Sequence, residues 1–326
     1  MKAIVFAKYG PPDVLQFQEV ARPVLKDNDV LIKIHAAALN AADWHLVRGE
    51  PFPVRMMLGG LQKPKPSILG EDMAGRVESV GNAVTLFRPG DAVFGDLSNC
   101  GRGAFAEYVA VPESALVAKP AKITFEAAAA TPMAAVTALQ GLRNIGKIQA
   151  GQKVLVNGAS GGVGSFAVQI AKALGAEVTA VASTRKLDGL RALGADHVID
   201  YTREDFTRNG QRYDLILAAN GNRSISDYQR ALSPNGVYVM TGGAMSQLMQ
   251  AMLLGPLMSM TGDRKMKSLM AKPNTADLAF VAGLLEAGKV KPVIDKRYPL
   301  NAVPEALAYL EQGHAAGKVV ISVQGD

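Results

Sequence analysis

Cysteine is almost missing from this chain: Cys100 is the one copy in 326 residues. That excludes an intramolecular disulfide and any cysteine-based zinc cluster. Histidine is scarce too, with His35, His45, His197 and His314. His45 near Asp43 is a conceivable metal pair, but a catalytic zinc needs three protein ligands, so these histidines read as satisfied or exposed side chains and no metal is expected. No stretch reaches the roughly 18–20 consecutive apolar residues of a membrane span. No run of lysine and arginine is interleaved with aromatics and no nucleic-acid module is recognisable, so nucleic acid is not an expected partner. The net charge of +6 then reads as a solubility charge with some attraction for a phosphorylated cofactor. The start, Met1 to Ala7, lacks the charged, apolar and small-residue order of a signal peptide and reads as a strand, which makes a cytoplasmic location the expectation. Internal repeats and low-complexity linkers are missing as well.

What is present is an apolar, moderately charged composition, 48% hydrophobic and 20% charged, of a length that usually makes two domains. The most informative stretch is Val154 to Gly164. An apolar β-branched run, Lys153 to Val156, ends in the glycine turn Ala159-Ser-Gly161-Gly-Val-Gly164, and a helical pattern follows through Phe166, Val168, Ile170, Ala171 and Leu174. Strand, glycine turn and helix in that order form the phosphate-binding unit of a dinucleotide fold. Gly161 lets the backbone approach a pyrophosphate, Gly164 lets the helix pack on the strand, and the new helix offers free N–H groups and its positive dipole end to the anion.

Along the chain, residues 1 to about 120 look β-rich, with strands expected at Val30–Ala36, Gly75–Val80, Ala92–Phe94 and Ala104–Val111. Glu126 to Leu142 is helical, with Pro132 bending or restarting the helix. Strand and helix then alternate: strands at Lys153–Val156, Glu177–Ala182, His197–Ile199, Asp214–Ala218 and Val237–Met240, helices at Gly162–Leu174, Arg185–Leu193 and Ser226–Leu232. That alternation predicts a parallel sheet covered on both faces. The tail breaks the rhythm with a helix at Thr275–Ala287, a strand at Val293–Tyr298, a helix at Val303–Gln312 and a strand at Lys318–Val323, and reads as a return to the first domain. The expected organisation is a β-rich domain over 1–122, an inserted Rossmann domain over 123–265, and the return of the first domain over 266–326. Met240 to Met270 holds most of the methionines, which suit adaptable core packing or a plastic apolar surface.

End to end, the chain resembles the zinc-independent, quinone oxidoreductase branch of the medium-chain dehydrogenase/reductase superfamily. The resemblance rests on Asn40-Ala-Ala-Asp43-Trp-His-Leu-Val-Arg48-Gly49, Leu69-Gly70-Glu-Asp72-Met-Ala-Gly75, Gly103-Ala-Phe-Ala-Glu-Tyr108, the glycine turn, and Gly194-Ala-Asp-His-Val-Ile-Asp-Tyr201. Ala219-Asn220-Gly221, Val293 to Leu300 and Gly313 to Lys318 make it most similar to the chloroplast-envelope quinone oxidoreductase homologues. The resemblance implies an α/β fold in which a GroES-like catalytic domain carries an inserted, doubly wound Rossmann domain, with nicotinamide and substrate in the cleft between them. It implies reduction of a quinone or an activated C=C, commonly by a homodimer. Zinc alcohol dehydrogenases of this superfamily carry Cys where Asn40 stands and His where Glu71 stands.

Cofactor choice is read at the end of the second strand of the Rossmann unit. An NAD site usually has a carboxylate there for the ribose 2′-OH. This chain has Ser183-Thr184-Arg185-Lys186, two hydroxyls and two cations suited to a 2′-phosphate, so NADPH is expected. An ordinary helix start capped by Ser183 or Thr184 fits the same residues. By resemblance Tyr201 lies against the adenosine phosphate, and Asn40 and Thr137 face the nicotinamide end. Cofactor contacts are thus expected at Asn40, Thr137, Gly158, Ser160, Gly161, Gly162, Val163, Gly164, Ser183, Thr184, Arg185, Lys186, Tyr201, Asn220, Gly242 and Lys318, although Asn40 and Thr137 read equally as a turn and a helix residue and Lys318 reads more readily as a solvated charge. Asn40, Asp43 and Arg48 are candidates for lining the substrate cleft, with a surface ion pair as the other reading of Arg48; none stands out as a proton donor. Without a metal to polarise a carbonyl, conjugate reduction is the favoured chemistry, because the enolate it leaves needs only hydrogen-bond donors and a proton. The first function class is therefore an NADPH-dependent reductase of a small lipophilic enone or quinone. An NADP-dependent alcohol or aldehyde dehydrogenase is the second, and a nucleotide-binding scaffold with little turnover, as in the similar mitochondrial reticulon-interacting proteins, is the third.

Overall fold

A computed structural model describes residues 1–323 except 53, 58, 59 and 66. The chain divides into two compact units: Met1–Met133 with Pro273–Glu286 and Pro292–Asp326, and Ala134–Lys272 with Ala287–Lys291.

The first unit opens with β1 (Lys2–Phe6), β2 (Gln16–Glu19), β3 (Asp29–Leu39), α1 (Ala41–Arg48), the single turn α2 (Val54–Met57), β4 (Ser67–Ile68), β5 (Asp72–Val80), β6 (Ala92–Asp96), β7 (Tyr108–Pro112), β8 (Leu116–Ala118) and α3 (Phe125–Ala129). In the first half of β3 burial alternates, with Val30, Ile32 and Ile34 inward. This is the period-two signature of a sheet with one face on the core. From Ala36 to Leu39 every residue is buried, so this end of the strand is covered on both faces. The strand expected at Ala104–Val111 forms only from Tyr108. Before it, Ala104 and Phe105 donate their N–H groups to the carbonyls of Gly70 and Leu69 instead of to a ladder.

The second unit begins in α4 (Pro132–Leu139), which Pro132 starts anew, and continues into a π-turn at Gln140–Ile145. It then runs β9 (Lys153–Asn157), α5 (Gly162–Ala173), β10 (Glu177–Ala182), α6 (Leu187–Ala192), β11 (His197–Asp200), β12 (Tyr213–Ala218), α7 (Ile225–Ala231), β13 (Leu232–Met240), α8 (Met245–Leu253), α9 (Gly255–Thr261) and β14 (Lys265–Ser268). Its six strands are parallel in the order β11-β10-β9-β12-β13-β14. That order reverses direction between β9 and β12, where doubly wound sheets open a crevice at the carboxyl ends of their strands. Val154, Leu155 and Val156 are fully buried, as a central parallel strand requires. The sixth strand lies past the boundary expected at 265. Only Met266 of its four residues is buried, so its sequence carries no alternation to reveal it. At the other end α3, expected in the nucleotide domain, packs on β3 and β5 of the first unit.

The return to the first unit brings α10 (Thr275–Glu286), β15 (Ile294–Pro299), α11 (Val303–Glu311) and β16 (Lys318–Ser322). β16 pairs antiparallel with β3, giving the order β15-β16-β3-β5-β6-β8, with β7 also on β3, while β2-β1-β4 form a separate small sheet. The last three positions of the expected return, 324–326, lie outside the described residues.

Candidate active site

In the second unit β9 ends at Asn157 and the chain turns through Gly158 at φ +78°. At Gly164 a Cβ would come within 2.1 Å of the Gly158 carbonyl oxygen, so the first turn of α5 sits directly on the loop. Gly161 is different: the nearest atom to a Cβ there would be 3.6 Å away, which leaves its outer side open. α5 has no side-chain cap, so its first-turn N–H groups face outward for an anion. The N–H groups of Ala219 and Asn220 donate to the Asn157 carbonyl at 2.9 and 3.2 Å, and Gly221 donates to the Gly242 carbonyl at 3.0 Å. Gly158, Ser160 to Gly164, Asn220 and Gly242 are thereby brought to one end of β9, β12 and β13. Behind them Asn157 Nδ2 donates to the hydroxyl of the buried Tyr228 at 2.6 Å.

At the end of β10, Ser183 precedes a 3₁₀ turn over Thr184–Lys186 and makes no side-chain cap. Arg185 is exposed and has no hydrogen-bond or ion-pair partner among the described residues, and Lys186 is half-buried. Tyr201 is exposed beside them, its N–H on the Ala182 carbonyl. One expectation is corrected here. No carboxylate was read at this tip, yet Asp200 stands there, because β11 is in register with β10 and pairs Asp200 with Ala182. Asp200 accepts from the hydroxyls of Thr184 and Thr202, which hold its carboxyl below the usual range, and Arg203 lies 3.6 Å away. The Thr184 hydroxyl is therefore already engaged. Thr137 is buried on α4.

The remaining candidates lie in the first unit, in a buried polar cluster. Lys318, expected as a solvated charge or a cofactor contact, is 3% exposed. Its ammonium donates to Asn40 Oδ1 and, at 3.1 Å, to Asp72 Oδ2. Asn40 Nδ2 donates to the same Asp72 oxygen at 3.0 Å, and the Met133 N–H reaches Asp72 Oδ1 at 2.9 Å. Sheet register assembles this group. β3 pairs Leu39 with Val319 and Ala38 with Asp72, and β5 pairs Asp72 with Asp96. Lys318, Asn40, Asp72 and Asp96 thus form a row across the ends of four neighbouring strands.

Beneath the row, Asp43 is fully buried, with Oδ2 accepting the Asn40 N–H at 2.7 Å. Glu71 Oε1 accepts from Arg102 at 2.9 Å, and Arg102 has a left-handed φ of +65°, its own N–H on the Leu97 carbonyl. Such a conformation costs a non-glycine residue about 1–3 kcal/mol and persists where its surroundings enforce it. Asp43 Oδ1 and Glu71 Oε2 have no partner among the described residues. Burial, reinforced by the charge of Glu71, pushes the Asp43 carboxyl far above its ordinary range, and burial raises Glu71 despite Arg102. Asp96 is pushed up to about 7 by burial and the Asp72 charge. Lys318 pairs with Asp72 and Arg102 with Glu71, at 3.1 and 2.9 Å. Arg48 does not join this cluster: it makes a two-pronged pair with Glu311 at 2.7 and 3.0 Å on a half-exposed face. Glu71, Asp72 and Arg102 were not among the site candidates, because partners this distant in sequence share no spacing signal.

The donors suit a nicotinamide dinucleotide and do not suit zinc. The glycine turn leaves open backbone and unpaired helix N–H groups where a pyrophosphate needs them. At the positions where related enzymes bind zinc, Asn40 Oδ1 is taken by an ammonium and Glu71 Oε1 by a guanidinium, and a divalent cation would meet two positive charges. Among the described residues no group of three or more His, Cys, Asp and Glu side chains is arranged to hold a metal ion.

Comparison with known proteins agrees with this architecture. Residues 26–121 match the Alcohol dehydrogenase GroES-like domain and residues 193–321 the Zinc-binding dehydrogenase domain. The chain belongs to the medium-chain dehydrogenase/reductase superfamily. It is 35% identical to the chloroplastic quinone-oxidoreductase homolog of Spinacia oleracea over 98% of both chains. It is 36% identical to the chloroplastic NADPH-dependent alkenal/one oxidoreductase of Arabidopsis thaliana, over 98% of this chain and 79% of that one. The structure of the quinone oxidoreductase from Coxiella burnetii superposes with a TM-score of 0.88 at 31% identity, covering 99% of each chain. As a member of this superfamily the protein is an oxidoreductase that uses a nicotinamide cofactor.

Proposed function

We propose that this member of the superfamily is a metal-free, NADPH-dependent reductase of a quinone or of the C=C of an α,β-unsaturated carbonyl. The observation that carries the reading is the cluster around Lys318: the place of the metal and its ligands is filled by protein cations and the side chains that bind them. A dehydrogenase acting on simple alcohols relies on a Lewis acid, whereas conjugate reduction does not. Reduced nicotinamide supplies the hydride. The chain's part is to hold the pyrophosphate on the first turn of α5 and the 2′-phosphate on Arg185, and to offer a hydrogen-bond donor to the acceptor oxygen as negative charge builds there. Hydride added to the β-carbon leaves an enolate, and a proton from solvent on the α-carbon completes the product.

Asp200 bears on cofactor choice from the opposite side. Its carboxylate repels a 2′-phosphate, while Arg203 and two threonine hydroxyls offset that charge. Names of relatives with NADPH or quinone in them support the same reading. A homodimer fits the chain as well. β14 is an edge strand, and Met249, Met252, Leu253, Leu257 and Met260 are exposed on the adjoining helices α8 and α9, with Leu254 exposed between them. Sedimentation at micromolar concentration would reveal the pair, and a monomer throughout would refute it.

The decisive assay follows NADPH loss with a panel of enones, quinones, aldehydes and alcohols, alongside metal analysis. Turnover on enones or quinones that survives a chelator is expected. Stoichiometric zinc, or turnover confined to alcohols and aldehydes, would overturn the reading.

A further inference from the structure

We propose that Lys318 is a positioning residue for reduction: clamped between Asn40 and Asp72, its ammonium fixes the Asn40 amide so that one N–H stays available at the rim of the cluster. The proposal rests on the reductase reading above.

The geometry leaves Asn40 no freedom. A side-chain amide has one oxygen and two N–H donors, and which end points where is decided by its neighbours. Here the oxygen accepts from Lys318 and one N–H is given to Asp72. Lysine is donor only and an ionised aspartate acceptor only, so the amide cannot flip without setting donor against donor and acceptor against acceptor. The second N–H is left over. Asn40 is 8% exposed, against 3% for Lys318 and none for Asp72, so of these three linked residues it is the one with most accessible surface. The backbone around Asn40 is pinned as well, since its own N–H is given to Asp43 Oδ2. The arrangement is a fixed dipole with one N–H unspent. Such preorganised donors stabilise developing negative charge because they need no reorientation at the moment of reaction. A buried lysine–aspartate pair is a costly way to add stability alone. A role in orienting a neighbour accounts for keeping both charges.

The test is a double-mutant cycle on the full-length protein with NADPH and an enone that turns over. Lys318→Met removes the ammonium and keeps the stem. In the wild-type background it should lower kcat about 10–100-fold while moving KM little, the scale of a misplaced catalytic group. In an Asn40→Ala background the same change should cost less than about twofold, because the group being positioned is gone. A readout independent of turnover is the Asn40 side-chain amide in ¹⁵N–¹H spectra, assigned by its loss in Asn40→Ala. Its two protons should sit away from the positions of a free asparagine amide and exchange slowly with water in wild type, and should move to those positions and exchange quickly without Lys318. If Lys318→Met does not fold, the cycle is run with Lys318→Arg, which keeps the charge and alters the geometry; the same non-additivity is expected. Equal costs in both backgrounds, or Asn40 amide signals indifferent to residue 318, would overturn the proposal while leaving the reductase reading intact. A wild type that oxidises NADPH with no enone or quinone overturns both.

Discussion

The glycine turn of the second unit and the polar cluster of the first unit are built on opposite plans. The turn is nearly all backbone: its recognition groups are N–H donors exposed because side chains are missing, and its residues are neighbours in sequence. The cluster is all side chain: two cations and four carboxyls drawn from residues 43, 71, 72, 96, 102 and 318, with Asp43, Glu71, Asp72 and Lys318 buried and each cation paired to a carboxylate. The backbone site admits no added atom at Gly164, but little depends on its charge. A charge-matched site tolerates changes of shape poorly and changes of protonation worse.

The first way to sharpen this contrast is also the most damaging. Gly164→Val puts a branched side chain where a Cβ already falls 2.1 Å from a carbonyl oxygen. Loss of measurable NADPH binding by titration is expected, accompanied by a lower Tm. Binding at wild-type affinity would mean that the loop is not the phosphate site.

Arg185→Ala comes next. A charge-assisted hydrogen bond to a 2′-phosphate is worth about 1.5–3 kcal/mol, so NADPH binding should weaken about tenfold or more. NADH binding should barely change. Equal weakening of both would assign Arg185 to the fold, and a wild type that prefers NADH would remove the cofactor assignment.

A smaller effect should appear in pH dependence. Asp96 is held at about 7 when folded, above its ordinary 3.8, so the folded state keeps a proton that the unfolded chain releases. The stability attached to that proton is present in full at acid pH and is lost as pH rises from about 4 to about 7, after which the loss is complete. Asp96→Asn removes this dependence. Denaturant melts should show wild type losing ground to the variant across that window and running parallel to it above. Parallel curves throughout would mean that Asp96 titrates normally. The smallest effect belongs to Arg48→Ala: a half-exposed ion pair contributes roughly 0–1 kcal/mol, and kcat should be unaltered. A large fall in kcat would return Arg48 to the substrate site.

The two plans also explain what could be read from sequence. Gly158 to Gly164 announce themselves, because strand, turn and helix are consecutive and each glycine answers a local requirement. The strands β9, β10 and β12 were legible for a similar reason, since their apolar runs are continuous. The cluster was legible only in pieces. Asn40, Asp43 and Lys318 were picked out by resemblance, but Lys318 read more readily as a solvated charge, because its burial depends on β3 and β5 lying alongside β16. Asp200 escaped because the search for a ribose-binding carboxylate followed β10 and not its neighbour in the sheet. β14 escaped because four residues with one buried side chain show no period.

The row of Lys318, Asn40, Asp72 and Asp96 has a consequence for how this chain can change over time. Antiparallel strands begin where their neighbours end, so the four residues meet without any loop to adjust their spacing. In a strand, a slip of one residue turns every side chain to the opposite face. A single-residue insertion or deletion within β16, or in β3 between its ladder to β16 and Asn40, therefore moves the ammonium away from Asn40 in one step, with no intermediate of partial function. The strands absorb length elsewhere, as the register irregularities of β3 at Leu31/Ile32 and Ile34/Ala36 show, but the stretch where Leu39 faces Val319 and Ala38 faces Asp72 has none, and there substitution is the route left for altering the site.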